Sequence, residues 1–139
     1  MMRYLIGFIA GALAVLAFHQ GMILVLHYLG QTPNFPWSMR PTGPLAVPAI
    51  VNSMFWGGVW GAAFMAVSRF IPLRDDLLRG IAFGVLGPWL IGNGLLVPLL
   101  KGGPLLFGGD VKRMAIGILI GAAFGLGLAL VLRMLRRPA

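Results

Sequence analysis

The 139-residue chain is 59% hydrophobic and only 10% charged, with a mean hydropathy of +0.92 and a formal net charge of +8. So few polar groups cannot cover a globule in water, which points to one integral membrane domain over residues 1–139. Cysteine and glutamate are both absent, which excludes disulfides, thiolate metal sites, thiol redox chemistry and glutamate-based proton chemistry.

In chain order, Met1-Met2-Arg3 and the apolar run after it resemble a secretory signal, with Ala12-Leu13-Ala14 as a cleavage site. The run outlasts a signal core of roughly 7–15 residues, so the sequence predicts an uncleaved first span over about residues 4–29. The next segment holds Pro33, Pro36, Pro41 and Pro44 and reads as an extended loop. A second span is predicted over about residues 48–71, with Pro48 in its first turn. Asp75 or Asp76 can cap the third, about residues 77–100, which Pro88 should kink and Pro98 should close. The loop from Lys101 to Asp110 sets Leu105-Leu106-Phe107 between two glycine pairs, as a tip that would dip into headgroups. The fourth span covers about residues 111–135 and ends in a basic tail. The expected fold is an all-α membrane protein, a bundle of four transmembrane helices.

Basic residues flank these spans. Arg3, Arg69, Arg74, Arg79, Arg133, Arg136 and Arg137 fall on one side, and Arg40, Lys101, Lys112 and Arg113 on the other. The excess predicts cytoplasmic termini. Positions at span ends explain the positive charge without nucleic acid, which is not an expected partner.

Glycines recur four apart in every span: Gly7 and Gly11, Gly57 and Gly61, Gly80 and Gly84, then Gly117, Gly121 and Gly125. Lipid offers little hydrophobic drive between helices, so small residues that let backbones approach supply the packing. The spacing leaves open whether the partner helix belongs to this chain or to another. Gly7-Phe8-Ile9-Ala10-Gly11 and Gly80-Ile81-Ala82-Phe83-Gly84 share a register that sets Gln20 opposite Asn93, and Gly61-Ala62-Ala63-Phe64 recurs as Gly121-Ala122-Ala123-Phe124. Either the chain is two similar helical hairpins or glycine-rich helices match by chance. Trp56, Trp60 and Trp89 lie deep enough to fill notches left by glycine.

His19, Gln20, Asn52, Ser53 and Asn93 fall at one depth, in the outer half of the bilayer. They read as an inward-facing hydrogen-bond cluster or as a polar vestibule whose mouth is the basic rim of Arg40, Lys101, Lys112 and Arg113. His19 and His27 stand about 12 Å apart along one helix, too far to share a metal, and no cofactor is expected. The only acids, Asp75, Asp76 and Asp110, sit at span ends, so neither catalysis nor proton-coupled exchange of the small multidrug exporter kind is expected.

Phe18-His19-Gln20, Phe55-Trp56-Gly57-Gly58-Val59-Trp60-Gly61 and Pro98-Leu99-Leu100-Lys101-Gly102 together resemble a family of small four-span proteins of bacterial inner membranes. The resemblance covers nearly the whole chain and implies the topology and a bacterial source, but carries over no functional residue. Two roles follow. The favoured one is a non-catalytic accessory or structural subunit packed against other membrane subunits or copies of itself. The alternative is an oligomeric channel or facilitator for a small, anionic solute, with lipid binding a third.

Overall fold

Four apolar runs become four helices in the computed structural model, which describes residues 1–136 and so leaves Arg137 of the basic tail outside it. The helices are α1 (Met2–Tyr28), α2 (Ala49–Phe70), α3 (Asp76–Lys101) and α4 (Val111–Leu135), each long and apolar enough to cross a bilayer. Their ends follow from local chemistry. Asp75 caps α3 by accepting from the Leu77 and Leu78 N–H groups at 2.8 and 3.0 Å, and Asp110 caps α4 through the Arg113 N–H at 3.1 Å. Pro48 stands just outside α2 in extended conformation rather than in its first turn. The first N–H groups of α2, from Ala49 and Ile50, are satisfied by the carbonyls of Arg40 and Ser38, both at 2.9 Å.

Two helices widen. Val15–His19 of α1 and Val85–Leu96 of α3 run as π-helix, with hydrogen bonds one residue longer than in an α-helix. Pro88 lies in the second segment, so the missing N–H is absorbed by a wide helix and not by a break. Nor does Pro98 close the span, as the sequence reading expected. The helix runs on to Lys101 and stops where Gly102 adopts φ 73°, a left-handed cap that suits glycine.

Adjacent helices run antiparallel, and α1 packs on α2 and α4 while α3 packs on α4. Within each hairpin the seam is backbone on backbone. A methyl group added at Gly11 would overlap the Gly57 carbonyl oxygen, and one at Gly61 the Gly7 carbonyl oxygen. In the second hairpin Gly84 meets the Gly121 carbonyl and Gly125 the Gly80 carbonyl in the same way. The hairpins are thus repeats in which Gly80 stands for Gly7, Gly84 for Gly11, Gly121 for Gly57 and Gly125 for Gly61. Because α1 and α3 run the same way, the relating axis lies along the membrane normal. The Gly-Ala-Ala-Phe match sets Gly61 against Gly121 and is one helical turn out of this register. Gly117 belongs to no backbone seam, since its missing side chain makes room for the Trp89 ring.

Between hairpins the packing uses side chains. Trp60 and Phe64 of α2 meet Phe83 of α3, with ring centroids 6.0 and 5.1 Å apart. By the repeat, Leu128 and Ala10 take the places of Phe64 and Phe83 at the α4–α1 boundary, and both are fully buried. Two bulky rings are replaced by one leucine and one methyl, which lets α1 and α4 come closer than α2 and α3. Trp60 also covers Gly87 and Gly92, and Trp89 is 7% exposed, so both fill notches as expected. Trp56 does not. It is 55% exposed, and its ring meets that of its chain neighbour Phe55 edge-on at 5.4 Å.

The start of α1 and the end of α4 lie at one end of the bundle, here the terminal end. At the far end the longer helix of each hairpin outruns its partner. Gly11 and Gly57 face each other from the third turns of α1 and α2, so the last turns of α1 stand past the start of α2. The connecting loop folds back into that step. It contains the antiparallel pair β1 (Pro41–Thr42) and β2 (Val47–Pro48), closed by a 2.7 Å hydrogen bond from the Thr42 hydroxyl to the Val47 carbonyl. The loop after α3 does likewise. Leu106, Phe107 and Gly108 form a left-handed turn that sets Leu106 against Gly94, so the tip packs on its own bundle with only Leu105 strongly exposed.

Candidate functional site

The wide turn of α1 creates the far-end polar centre. Gln20 is 6% exposed. Its amide oxygen accepts from the Trp37 backbone N–H at 2.8 Å, and its amide nitrogen donates to Nδ1 of half-buried His19 at 3.2 Å. That bond holds the imidazole with its proton on Nε2. The Trp37 indole N–H donates to the Leu16 carbonyl at 2.8 Å, inside the wide turn. Trp37 adopts φ 54°, an uncommon conformation for a residue with a side chain, and two hydrogen bonds to α1 hold it there. Further along, Phe35 meets the His27 ring edge-on at 5.3 Å.

The other members of the expected cluster do not join it. Asn93 is exposed, because α3 packs through the residues on either side: Gly92 receives Trp60 and Gly94 receives Leu106. Asn52 is exposed on a face of α2 shared with Phe55 and Trp56, and Ser53 is half-buried beside it. Neither asparagine side chain forms a hydrogen bond among the described residues. Of the five polar residues expected in one interior layer, Gln20 is buried, His19 and Ser53 are half-buried, and Asn52 and Asn93 are exposed.

Arg40, Lys101, Lys112 and Arg113 are all exposed at the far end. They line neither of two cavities in the bundle. One cavity is an apolar groove of about 400 Å³ between α1 and α4, bordered by Phe18, Gly21, Met22, Leu119 and Leu126 among others.

The second cavity, of about 330 Å³, opens at the terminal end and is lined by Ser68, Asp76, Arg79, Arg133 and Arg136 over a floor that includes Leu132. Arg79 pairs with Asp76 at 3.3 Å through one terminal nitrogen, while its Nε is buried with no hydrogen-bond partner among the described residues. Arg136 donates to the Met65 sulfur at 3.2 Å, and Arg3 donates to the Met65 carbonyl. In the sequence these arginines read as orientation signals only. A clue was available: Arg79, Arg133 and Arg136 border the same end of two adjacent spans. Gly58 and Gly127 were also missed. They receive the rings of Phe8 and Phe18, and neither belongs to the four-residue spacing that marked the other glycines.

No group of three metal-ligating side chains converges among the described residues. Compared with known proteins, the chain matches no family model, no curated protein and no solved structure.

Proposed function

We propose that this multi-pass membrane protein is a non-catalytic subunit of a bacterial inner membrane that associates, through the outward faces of α2 and α3, with another membrane subunit or with copies of itself. The observation that carries this reading is Asn93, a primary amide turned outward within a span and without a hydrogen bond among the described residues. An amide facing hydrocarbon without a partner costs on the order of a kcal/mol or more, and a neighbouring helix supplies the missing bonds. Asn52, Phe55 and Trp56 extend the same kind of surface onto α2. The glycine seams are used up inside the chain, so association rests on these side chains and not on the glycine ridges. The excess of arginines at the terminal end supports cytoplasmic termini.

The facilitator reading draws less support, because none of His19, Gln20, Asn52 and Asn93 lines either cavity. Mass measurement of the protein in a mild detergent tests the proposal. The wild type is expected as a larger species, with Asn93→Leu falling to the single chain at an unchanged melting temperature. A wild type that runs as one chain with nothing copurifying would sink it.

A further inference from the structure

The terminal-end cavity exists because the two hairpins fill equivalent places differently. In the first hairpin Met65 packs its side chain against Gly7; at the equivalent place in the second, the Ala129 methyl group faces Gly80. The volume of a methionine chain is missing there, and the space opens beneath Arg79, Arg133 and Arg136. Three guanidinium groups and one carboxylate line it, leaving a net positive pocket at the level where the spans end.

Its donors are poorly occupied. The buried Arg79 Nε has no acceptor, Arg136 is turned to a thioether sulfur, which accepts weakly, and Arg133 makes no ion pair among the described residues. Guanidinium forks match the oxygens of phosphate, and a basic pocket between helices at the membrane surface suits an anionic headgroup. The Ser68 hydroxyl adds one more donor on the wall.

We propose that this pocket binds a phosphate group, with the Arg79 Nε–H and the Arg133 guanidinium as its principal donors and Arg136 released from Met65 to complete the set. The apolar floor of Phe64, Ala129 and Leu132 then lies where the glycerol end of a lipid would rest.

The test is a titration of the detergent-solubilised protein with dioleoylphosphatidylglycerol, dioleoylphosphatidylcholine and, separately, inorganic phosphate, followed by the melting temperature. Phosphatidylglycerol is expected to raise it and phosphatidylcholine to leave it unchanged, since choline brings a cation to the arginines. Arg79→Gln with Arg133→Gln is expected to weaken the response about tenfold or more, as loss of charge-assisted hydrogen bonds implies. The far-end pair Lys112→Gln with Arg113→Gln removes the same charge and is expected to leave it within about twofold. Ala129→Met keeps every charge, copies the first hairpin and is expected to abolish the response by filling the cavity; it decides the matter alone if the arginine variant does not fold. If inorganic phosphate reproduces the shift with the same dependence on Ala129, a soluble phosphate is the ligand; if only the lipid does, the headgroup is. No shift with any probe, or a shift that survives both Ala129→Met and the arginine variant at wild-type strength, overturns the proposal.

Discussion

In the first hairpin the Gly57 and Gly7 carbonyls lie against Gly11 and Gly61, and in the second those of Gly121 and Gly80 lie against Gly84 and Gly125. The seams are the same, and nearly everything laid over them differs. At the far end Gln20 is covered by the Trp37 loop, whereas Asn93, its counterpart, stays exposed because the second loop covers Gly94 instead. At the terminal end Met65 fills what Ala129 leaves open. The seam has to be conservative because only glycine permits that backbone approach. Side chains above it are free to diverge, and three groups of the second hairpin without a hydrogen-bond partner among the described residues, the Asn93 amide, the Arg79 Nε and the Trp89 indole N–H, stand where its filling departs from the first.

The sharpest way to press this comparison is through Trp89. It is 7% exposed and fills the notch at Gly117, while its counterpart Leu16 is 38% exposed. Trp89→Ala is expected to cost about 3 kcal/mol, the low end for such truncations because lipid removes much of the transfer term and leaves lost packing. Leu16→Ala should cost under about 1 kcal/mol. Unfolding in mixed detergent micelles measures both. A methyl at Gly117 would collide with the indole, so Gly117→Ala should destabilise the wild type and be neutral beside Trp89→Ala. Equal losses at Trp89 and Leu16 would mean that the halves are filled alike.

Next in size are the seams themselves. Gly11→Ala and Gly84→Ala each drive a methyl group into a carbonyl oxygen of the partner helix, and each is expected to cost about 1–3 kcal/mol, with the double variant near their sum. Thermal unfolding of the three variants checks this. A free substitution at one position beside a costly one at the other would break the equivalence of the hairpins.

The number and length of the crossings were legible because an apolar run of that length has no other stable arrangement. The glycine ridges were legible because four-residue spacing puts small residues on one helix face. Which glycine met which was not. The likeness of Gly-Ala-Ala-Phe in α2 and α4 reflects composition, while register is set by the facing helix. Depth could be read by counting residues, hence the shared level of Gln20 and Asn93; azimuth could not. Twelve residues of wide helix around Asn93 shift the turn per residue away from 100°, so the face it occupies departs from a regular wheel. The arginine pocket hangs on the volume difference between Met65 and Ala129, visible only once the hairpins are aligned in their true register.

The smallest expected effect separates the loops. Trp37→Phe keeps the ring and the backbone bond to Gln20 but removes the indole donor from the Leu16 carbonyl. One hydrogen bond of this kind is worth about 1 kcal/mol, and it is the only contact of the loop's indole with the wide turn that is lost. The variant should therefore melt only slightly earlier, with the change confined to hydrogen exchange at residues 15–20. Leu106→Ala, which strips the second loop from Gly94, should leave those amides alone and loosen α3 instead. If Trp37→Phe instead raised exchange along the whole of α1, the loop would be holding the helix and not merely covering its polar turn.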